Sequence, residues 1–343
     1  MNMVMNSNPR LVVAFLFALC LVEAAYAEST AQNESQAKQW LERMTQAAQT
    51  LNYEGTFVYI QGEHVEAMRI VRSSEDGEGE GRAEWQHMYS LNGAKREVIV
   101  ADNQVMCVLP KQRVAFSGST QNQAPFPISL PRDLAKLEMF YRFKVLGDDR
   151  IAGFRTRIIE IQPRDELRFG YRLWLDYDTG MVLRSALINE HAQIVEQLMF
   201  TDLHIMSASD ASMRASREAI DRLIATKPRI EPPVGEAVAN SDWTITHLPD
   251  GFTGVMHNRY PGSSIEHATE HMVFTDGLAT VSIFLELLDD GQLKLKGPSR
   301  MGAMNAFAVV VGRYQAVVIG EVPEATVEMI AFSLTRNTGV AAK

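Results

Sequence analysis

Apolar and polar residues alternate through WLDYDTGMVLRSALINEHAQIVEQLMFTDLHI, residues 174–205, and the clusters DYDTG and INEHAQ interrupt the pattern twice. Period-two alternation broken by turn residues predicts three antiparallel strands in sequence. The same logic marks GTFVYIQG, EAMRIVRS, AEWQHMYSL, REVIVAD, QVMCVLP and QRVAFSG as short strands between residues 55 and 118. VLGDDRIAGFRTRIIEIQP adds a further pair.

Two segments in this first region carry helical spacing instead. Ala37, Trp40, Leu41, Met44, Ala48 and Leu51 fall three and four residues apart and line one face of a helix, which must lie on something apolar. LPRDLAKLEMFYRF, residues 130–143, reads as a second helix with Pro131 in its first turn. From Met206 the apolar density drops, and PRIEPPVG is Pro-rich, so 207–240 reads as a linker with a short helix around Arg217 to Ala225. Beyond it, WTITHLPDGF, HMVFTDGLATVSIFLELL and AFAVVVGRYQAVVIGEV are strand-like, and EATVEMIAFSL is a helix begun by Pro323 and Glu324. The expected fold class is α+β and mostly β, with a large sheet unit at 28–206 and a smaller α+β unit at 241–343.

The N-terminus sets the compartment. Arg10 precedes the apolar run LVVAFLFALCLV, and Ala25 and Ala27 occupy the minus-three and minus-one places of a cut before Glu28. This is the layout of a cleaved signal peptide over 1–27, and the run is shorter than the roughly 20 residues of a membrane span. Leu19 before Cys20 argues against a lipid-modified cysteine. Removing Arg10 and Glu23 together leaves the formal charge of −9 unchanged, so an exported acidic chain is expected, periplasmic in a two-membrane bacterium, with no affinity for nucleic acid. Cys107 is then the single mature cysteine and forms no internal disulfide.

Candidate chemistry thins out on inspection. HATEH, His267 to His271, fits H-x-x-E-H, but it leads into a strand pattern, where positions four apart are separated by about 13 Å, too far for one metal ion. DYDTG resembles the start of a calcium loop yet lacks the closing Glu, and reads as a tight hairpin. No G-x-S-x-G elbow or phosphate loop is present, and Cys107 sits in the apolar run QVMCVLP. No catalytic residues, metal or cofactor are therefore assigned, and the chain reads as a binding protein rather than an enzyme. Its 17 Met cluster in or beside apolar runs, a residue type suited to surfaces that repack around varied apolar guests. Phe57, Tyr59, Phe143, Trp174 and Met199 are the candidates for an apolar cup holding acyl chains. Phe274, Phe284 and Val310 are the candidates for a partner surface on the second unit.

The order of the pieces resembles one family: a leader, a helix running into LNYEGTFVYIQGEHVEAMRIVR, the LDYDTG hairpin region, a Pro-containing linker, WTITHLPDGF and GEVPEATVEMIAFSL. This is similar to the RseB/MucB family, periplasmic negative regulators of the extracytoplasmic stress sigma factor, which restrain alginate production in pseudomonads. The resemblance implies a lipoprotein-carrier-like N-terminal domain, an open and bent antiparallel sheet with helices plugging its concave side, beside a smaller C-terminal domain. It implies a partner, the periplasmic segment of a membrane-spanning anti-sigma factor, which binding shields from regulated proteolysis. It also implies release by lipopolysaccharide or another lipid. Whether the chain forms a homodimer stays open. A periplasmic lipid or lipoprotein carrier is the second reading, and a hydrolase using His267 or His271 the third.

Overall fold

The computed structural model describes residues 31–76, 82–101, 104–108, 115–119, 130–131, 133–207, 210–226, 229–230, 234–262, 268–289 and 294–337. The leader, His267 and the tip of the acidic 73–84 insert fall outside this set.

Helix α1 covers 31–50 and buries Ala37, Leu41 and Met44 as its spacing requires, with Ala47 buried in place of Ala48. Twelve strands then form one sheet: β1 (Asn52–Gln61), β2 (His64–Asp76), β3 (Arg82–Ser90), β4 (Glu97–Ala101), β5 (Gln104–Val108), β6 (Ala115–Ser119), β7 (Tyr141–Ile151), β8 (Phe154–Pro163), β9 (Gly170–Asp176), β10 (Val182–Ile188), β11 (Ile194–Met206) and β12 (Arg229–Ile230). Their spatial order is β12-β6-β5-β4-β3-β2-β1-β11-β10-β9-β8-β7, an open sheet whose two runs of hairpins meet at the β1–β11 pairing. Every pairing is antiparallel except β12 with β6. Register shifts at Val145/Gly147, Thr56/Phe57 and Val182/Arg184 are bulges, which bend the strands they interrupt.

The three strands expected over 174–205 are β9, β10 and β11. Both turns form as their residue types dictate. Asp176 Oδ2 accepts from the Thr179 amide and hydroxyl at 2.9 and 2.7 Å, and Gly180 takes a φ of 79°. Asn189 Oδ1 accepts from the His191 and Gln193 amides at 3.0 and 2.8 Å.

Two helices differ from their sequence pattern. The segment 130–143 yields only α2 (Leu134–Glu138), capped by Asp133, whose side chain accepts from the Ala135 amide. Tyr141, Phe143 and Val145 alternate inward from β7, and that aromatic and β-branched alternation on a packed sheet overrides helical propensity. In the segment expected to be a linker, α3 (Ala211–Thr226) is 16 residues long, and its Met213 and Ile220 pack with Val71, Trp85 and Ile99 on the first sheet.

The second unit holds β13 (Glu236–Ala237), β14 (Trp243–Ile245), β15 (Thr253–Tyr260), β16 (Thr269–Thr275), β17 (Thr280–Leu287), β18 (Gly297–Met301), β19 (Met304–Val311), β20 (Tyr314–Gly320), α4 (Glu324–Ser333) and β21 (Leu334–Arg336). Seven of these strands form a sheet in the order β13-β15-β16-β17-β20-β19-β18, and β14 pairs with β21. Pro323 caps α4 with Glu324 in its first turn, as the sequence indicated. Val327, Ile330 and Ala331 of α4 join Ile283, Val318 and Phe307 in the core. The α+β, mostly β architecture follows the expectation, with an open antiparallel sheet and a smaller second unit.

Candidate functional site

Directly paired residues of an antiparallel sheet point to the same face. Phe143 faces Ile161, Ile161 faces Tyr171, and Tyr171 faces Leu187; Leu187 is in turn level with Glu196, while Tyr59 and Phe57 pair with Leu198 and Phe200. Phe57, Tyr59 and Phe143 therefore share one face. Trp174 pairs with Arg184 and Arg184 with Met199, which places Trp174 and Met199 on the other face. By register the five candidates for an apolar cup point to two faces, yet Phe57 and Trp174 are buried in one hydrophobic cluster with Tyr59 and Met199 packed against it, while Phe143 belongs to the cluster under α1 and α2. The helices are divided too: α1 and α2 cover Tyr141, Phe143 and Leu173, whereas α3 covers Val71 and Trp85 on the opposite side.

Phe57, Phe143 and Trp174 are buried, and Tyr59 and Met199 half-buried. The Tyr59 hydroxyl donates to Glu196 Oε2 at 2.7 Å, while the Arg184 guanidinium lies 4.1 Å above the Trp174 ring, whose Nε1 donates to Asp149 at 2.9 Å. Burial lowers the Arg184 pKa. A cavity of about 180 Å³ lies at one end of β8, β9 and β10. Glu160, Asp165, Glu166, Arg172 and Glu190 line much of it, so this space is charged rather than suited to an acyl chain.

The partner-surface candidates divide as well. Phe274 packs against the core beside α4. His271, Phe284, Val317 and Ala308 form one cross-strand row on the other face, and Val310 lies two residues along β19 from Ala308. Phe284 is 37 % exposed, and its ring stacks on His271 with centroids 4.2 Å apart. His271 Nε2 is buried with no hydrogen-bond partner in the structure, and burial lowers the imidazole pKa, so the ring stays neutral and the row apolar. Of HATEH, Thr269, Glu270 and His271 lie in strand β16, and His267 lies outside the described residues. Cys107 lies mid-strand in β5, half-buried, with burial raising its thiol pKa.

Nothing local in the chain marks the joint between the two units. Arg168, in the loop after β8, and Asp276, in the β16–β17 turn, form a salt bridge of 2.6 Å with both side chains fully buried. Tyr141 donates to the same Asp276 oxygen at 2.8 Å, and the other oxygen accepts from the Leu278 and Ala279 amides. Arg168 also donates to the Asp250 carbonyl at 2.8 Å and to Asp165. The rings of Phe140, Tyr141 and Phe252 surround its guanidinium at 5.0, 5.6 and 5.4 Å. Burial, with the Asp276 charge behind it, raises the Tyr141 pKa, so the phenol stays protonated and donating. The Thr326 hydroxyl donates to the Leu167 carbonyl at 2.8 Å, tying α4 to the same loop. The partners that cross between the units lie far apart in sequence, Arg168 and Asp276 by 108 positions and Tyr141 and Asp276 by 135.

Comparison with known proteins converges on one family. The MucB/RseB N-terminal domain model matches residues 36–221, and the MucB/RseB C-terminal domain model matches residues 237–335. The chain is 29% identical over 321 residues to the sigma factor AlgU regulatory protein MucB of Pseudomonas aeruginosa, covering 89% of this chain and 92% of that one. It is 27% identical over 327 residues to the sigma-E factor regulatory protein RseB of Haemophilus influenzae, covering 95% and 98%. A solved complex of Pseudomonas aeruginosa MucA and MucB superposes with a TM-score of 0.67 at 25% identity, over 89% of this chain and 100% of that one. With the two domain models together spanning most of its length in the family's order, the chain belongs to the MucB/RseB family.

Proposed function

We propose that this chain is a periplasmic regulator that binds the periplasmic segment of a MucA-like membrane anti-sigma factor and so keeps an envelope-stress sigma factor inactive. The observation that carries the reading is the apolar row through His271, Phe284 and Val317 on the face of the second sheet opposite α4. An exposed aromatic among half-buried aliphatic neighbours is the kind of anchor that dominates a protein interface. The neutral His271 beside it adds no charge to be desolvated.

Shielding follows from occupancy alone, since a bound extended segment cannot enter a protease, and needs no catalytic group. An extended segment loses ordering entropy on binding, and a wide contact surface offsets that loss. The leader is cut between Ala27 and Glu28, and the mature chain acts in the periplasm. Phe274, half-buried against the core that α4 covers, supports the sheet from that side, while Phe284 and Val310 contact the partner.

A lipid, lipopolysaccharide among them, releases the partner in this reading by binding one arrangement of the first unit better than the other, and shifts the balance by that difference in affinity. Phe57, Tyr59 and Phe143 on one face and Trp174 and Met199 on the other are the apolar groups such a guest meets. The lipid-carrier reading keeps this site and dispenses with the second unit's surface.

The test is protection of the anti-sigma segment from a site-specific protease by purified mature chain, with and without Phe284→Asp. Protection by the wild type, lost in the variant and lost on adding lipopolysaccharide, supports the regulator. Lipid binding without any protection favours the carrier. Light scattering on the same samples reads whether the working species is a monomer or a homodimer.

A further inference from the structure

Six strands of the first sheet each give one residue to a cross-strand row on the face away from α1 and α2. Along the pairings the row runs Ala67, Val58, Met199, Arg184, Trp174 and Ile158. Arg184 is its single charge, in the middle of an otherwise apolar line. Arg172 lies two residues along β9 from Trp174 and pairs with Ala186, itself two residues along β10 from Arg184. The two arginines are therefore diagonal neighbours on one face, roughly 7–8 Å apart at the backbone.

The two guanidiniums are partnered differently. Arg172 donates to Glu160 Oε1 at 2.9 Å, so its charge faces a carboxylate. Arg184 has no such partner: its Nη2 donates to the neutral Gln197 Oε1 at 2.7 Å, and it forms no salt bridge among the described residues. Burial lowers its pKa against the pull of Asp149, whose oxygens are engaged by Trp174 Nε1 at 2.9 Å and the Arg150 amide at 2.7 Å. The Trp174 ring covers one side of the guanidinium at 4.1 Å. The Nε atoms of Arg184 and Arg172 are both buried without an acceptor, and Nη1 of Arg184 donates to no described residue. A half-buried cation with no counter-ion is costly, and stacking on Trp174 offsets only part of that cost. An anion reaching this row would meet a guanidinium already oriented by Trp174 and Gln197, with a second positive charge beside it.

We propose that Arg184, with Arg172 beside it, is an oxyanion-binding site, where a phosphate-type group takes the free donors of Arg184 and any chain attached to it lies along Trp174, Met199 and Ile158. Guanidinium suits such a group because its N–H donors sit in a fixed fork that matches two oxygens. Two sources supply this chemistry, free phosphate and the head group of an anionic amphiphile. The amphiphile rests on the lipid reading above, whereas the anion site itself does not. The cavity at the end of β8, β9 and β10 is a poorer seat for an anion, because Glu160, Asp165, Glu166 and Glu190 line it.

Calorimetry on the intact mature chain, at neutral pH in phosphate-free buffer, tests this with inorganic phosphate, decyl phosphate and decyl maltoside. The two amphiphiles share a chain, differ in head-group charge and are used below their micellar range. Wild type is compared with Arg184→Gln, which keeps a hydrogen-bonding amide, and with Arg184→Lys, which keeps the charge. Decyl phosphate is expected to bind wild type about tenfold or more tighter than Arg184→Gln, with Arg184→Lys between the two. Inorganic phosphate should raise the melting point of wild type and leave that of Arg184→Gln where it stands. Phosphate bound through Arg184 with no gain from the decyl chain upholds the site, assigns it to the free anion and removes the lipid reading. Decyl maltoside bound as tightly as decyl phosphate, by wild type and Arg184→Gln alike, overturns the site and leaves the lipid reading standing. No binding of either phosphate probe up to about 10 mM also overturns it.

Discussion

Replacing Arg168 by Met removes the cation from the buried joint while keeping most of its volume. Asp276 would then lie in a site with no exposure, left with the Tyr141 hydroxyl and the Leu278 and Ala279 amides as donors. Removing one partner of a buried ion pair costs about 3–5 kcal/mol, mostly because the other charge stays buried. Three surviving donors place Arg168→Met at the lower end, near ~3 kcal/mol. For a unit of this size such a loss lowers Tm by about 6–12 °C. The double variant Arg168→Met with Asp276→Leu leaves no buried charge and should recover much of that loss, although the Asp276 turn forfeits two amide contacts. Calorimetry and urea unfolding of the four proteins in the cycle measure the coupling directly. A loss under about 0.5 kcal/mol for Arg168→Met, or a double variant equal to the sum of the singles, would refute the view that this pair holds the units together.

Three further outcomes follow from single contacts. Gly302→Ala should destabilise the contact of the β18–β19 turn with β1 by about 1–3 kcal/mol, because the added methyl overlaps Gln61 at a φ of 62°; Gln61→Ala in the same chain should restore part of it in a melting assay. Phe284→Asp should weaken anti-sigma binding by about 30-fold or more, measured by calorimetry, with far-ultraviolet circular dichroism unchanged because the ring is already 37 % exposed. Cys107 should react with iodoacetamide at pH 7.5 much more slowly in the native chain than in urea, since burial holds its thiol pKa up; equal rates would contradict its placement in β5.

Legibility in the sequence tracked how local the physics is. Strands β9 to β11 were readable because alternation and the side-chain-bonded turns at Asp176 and Asn189 are all encoded within a few residues. The start of α4 at Pro323 was readable for the same reason. Segment 130–143 misled because its helical spacing and the inward alternation of Tyr141, Phe143 and Val145 compete, and only the neighbouring β8 decides between them. The α3 segment looked too polar for a core element, yet Met213 and Ile220 suffice to seat it on Val71 and Trp85. Alternation also says which residues share a face within a strand but not which faces align between strands. Trp174 and Met199 therefore parted from Phe57 and Phe143 only once the register was known. The joint was wholly hidden, since Arg168 and Asp276 are 108 positions apart and each alone looks like a surface charge.

Direct binding is the shortest route to the central claim. Mature chain should be titrated calorimetrically with the periplasmic segment of a MucA-like anti-sigma factor, at physiological salt. The account predicts saturable binding at a defined stoichiometry with a Kd of about 1 μM or tighter, reduced by Phe284→Asp and competed by lipopolysaccharide. No binding up to about 100 μM, with the chain folded by circular dichroism, would contradict it.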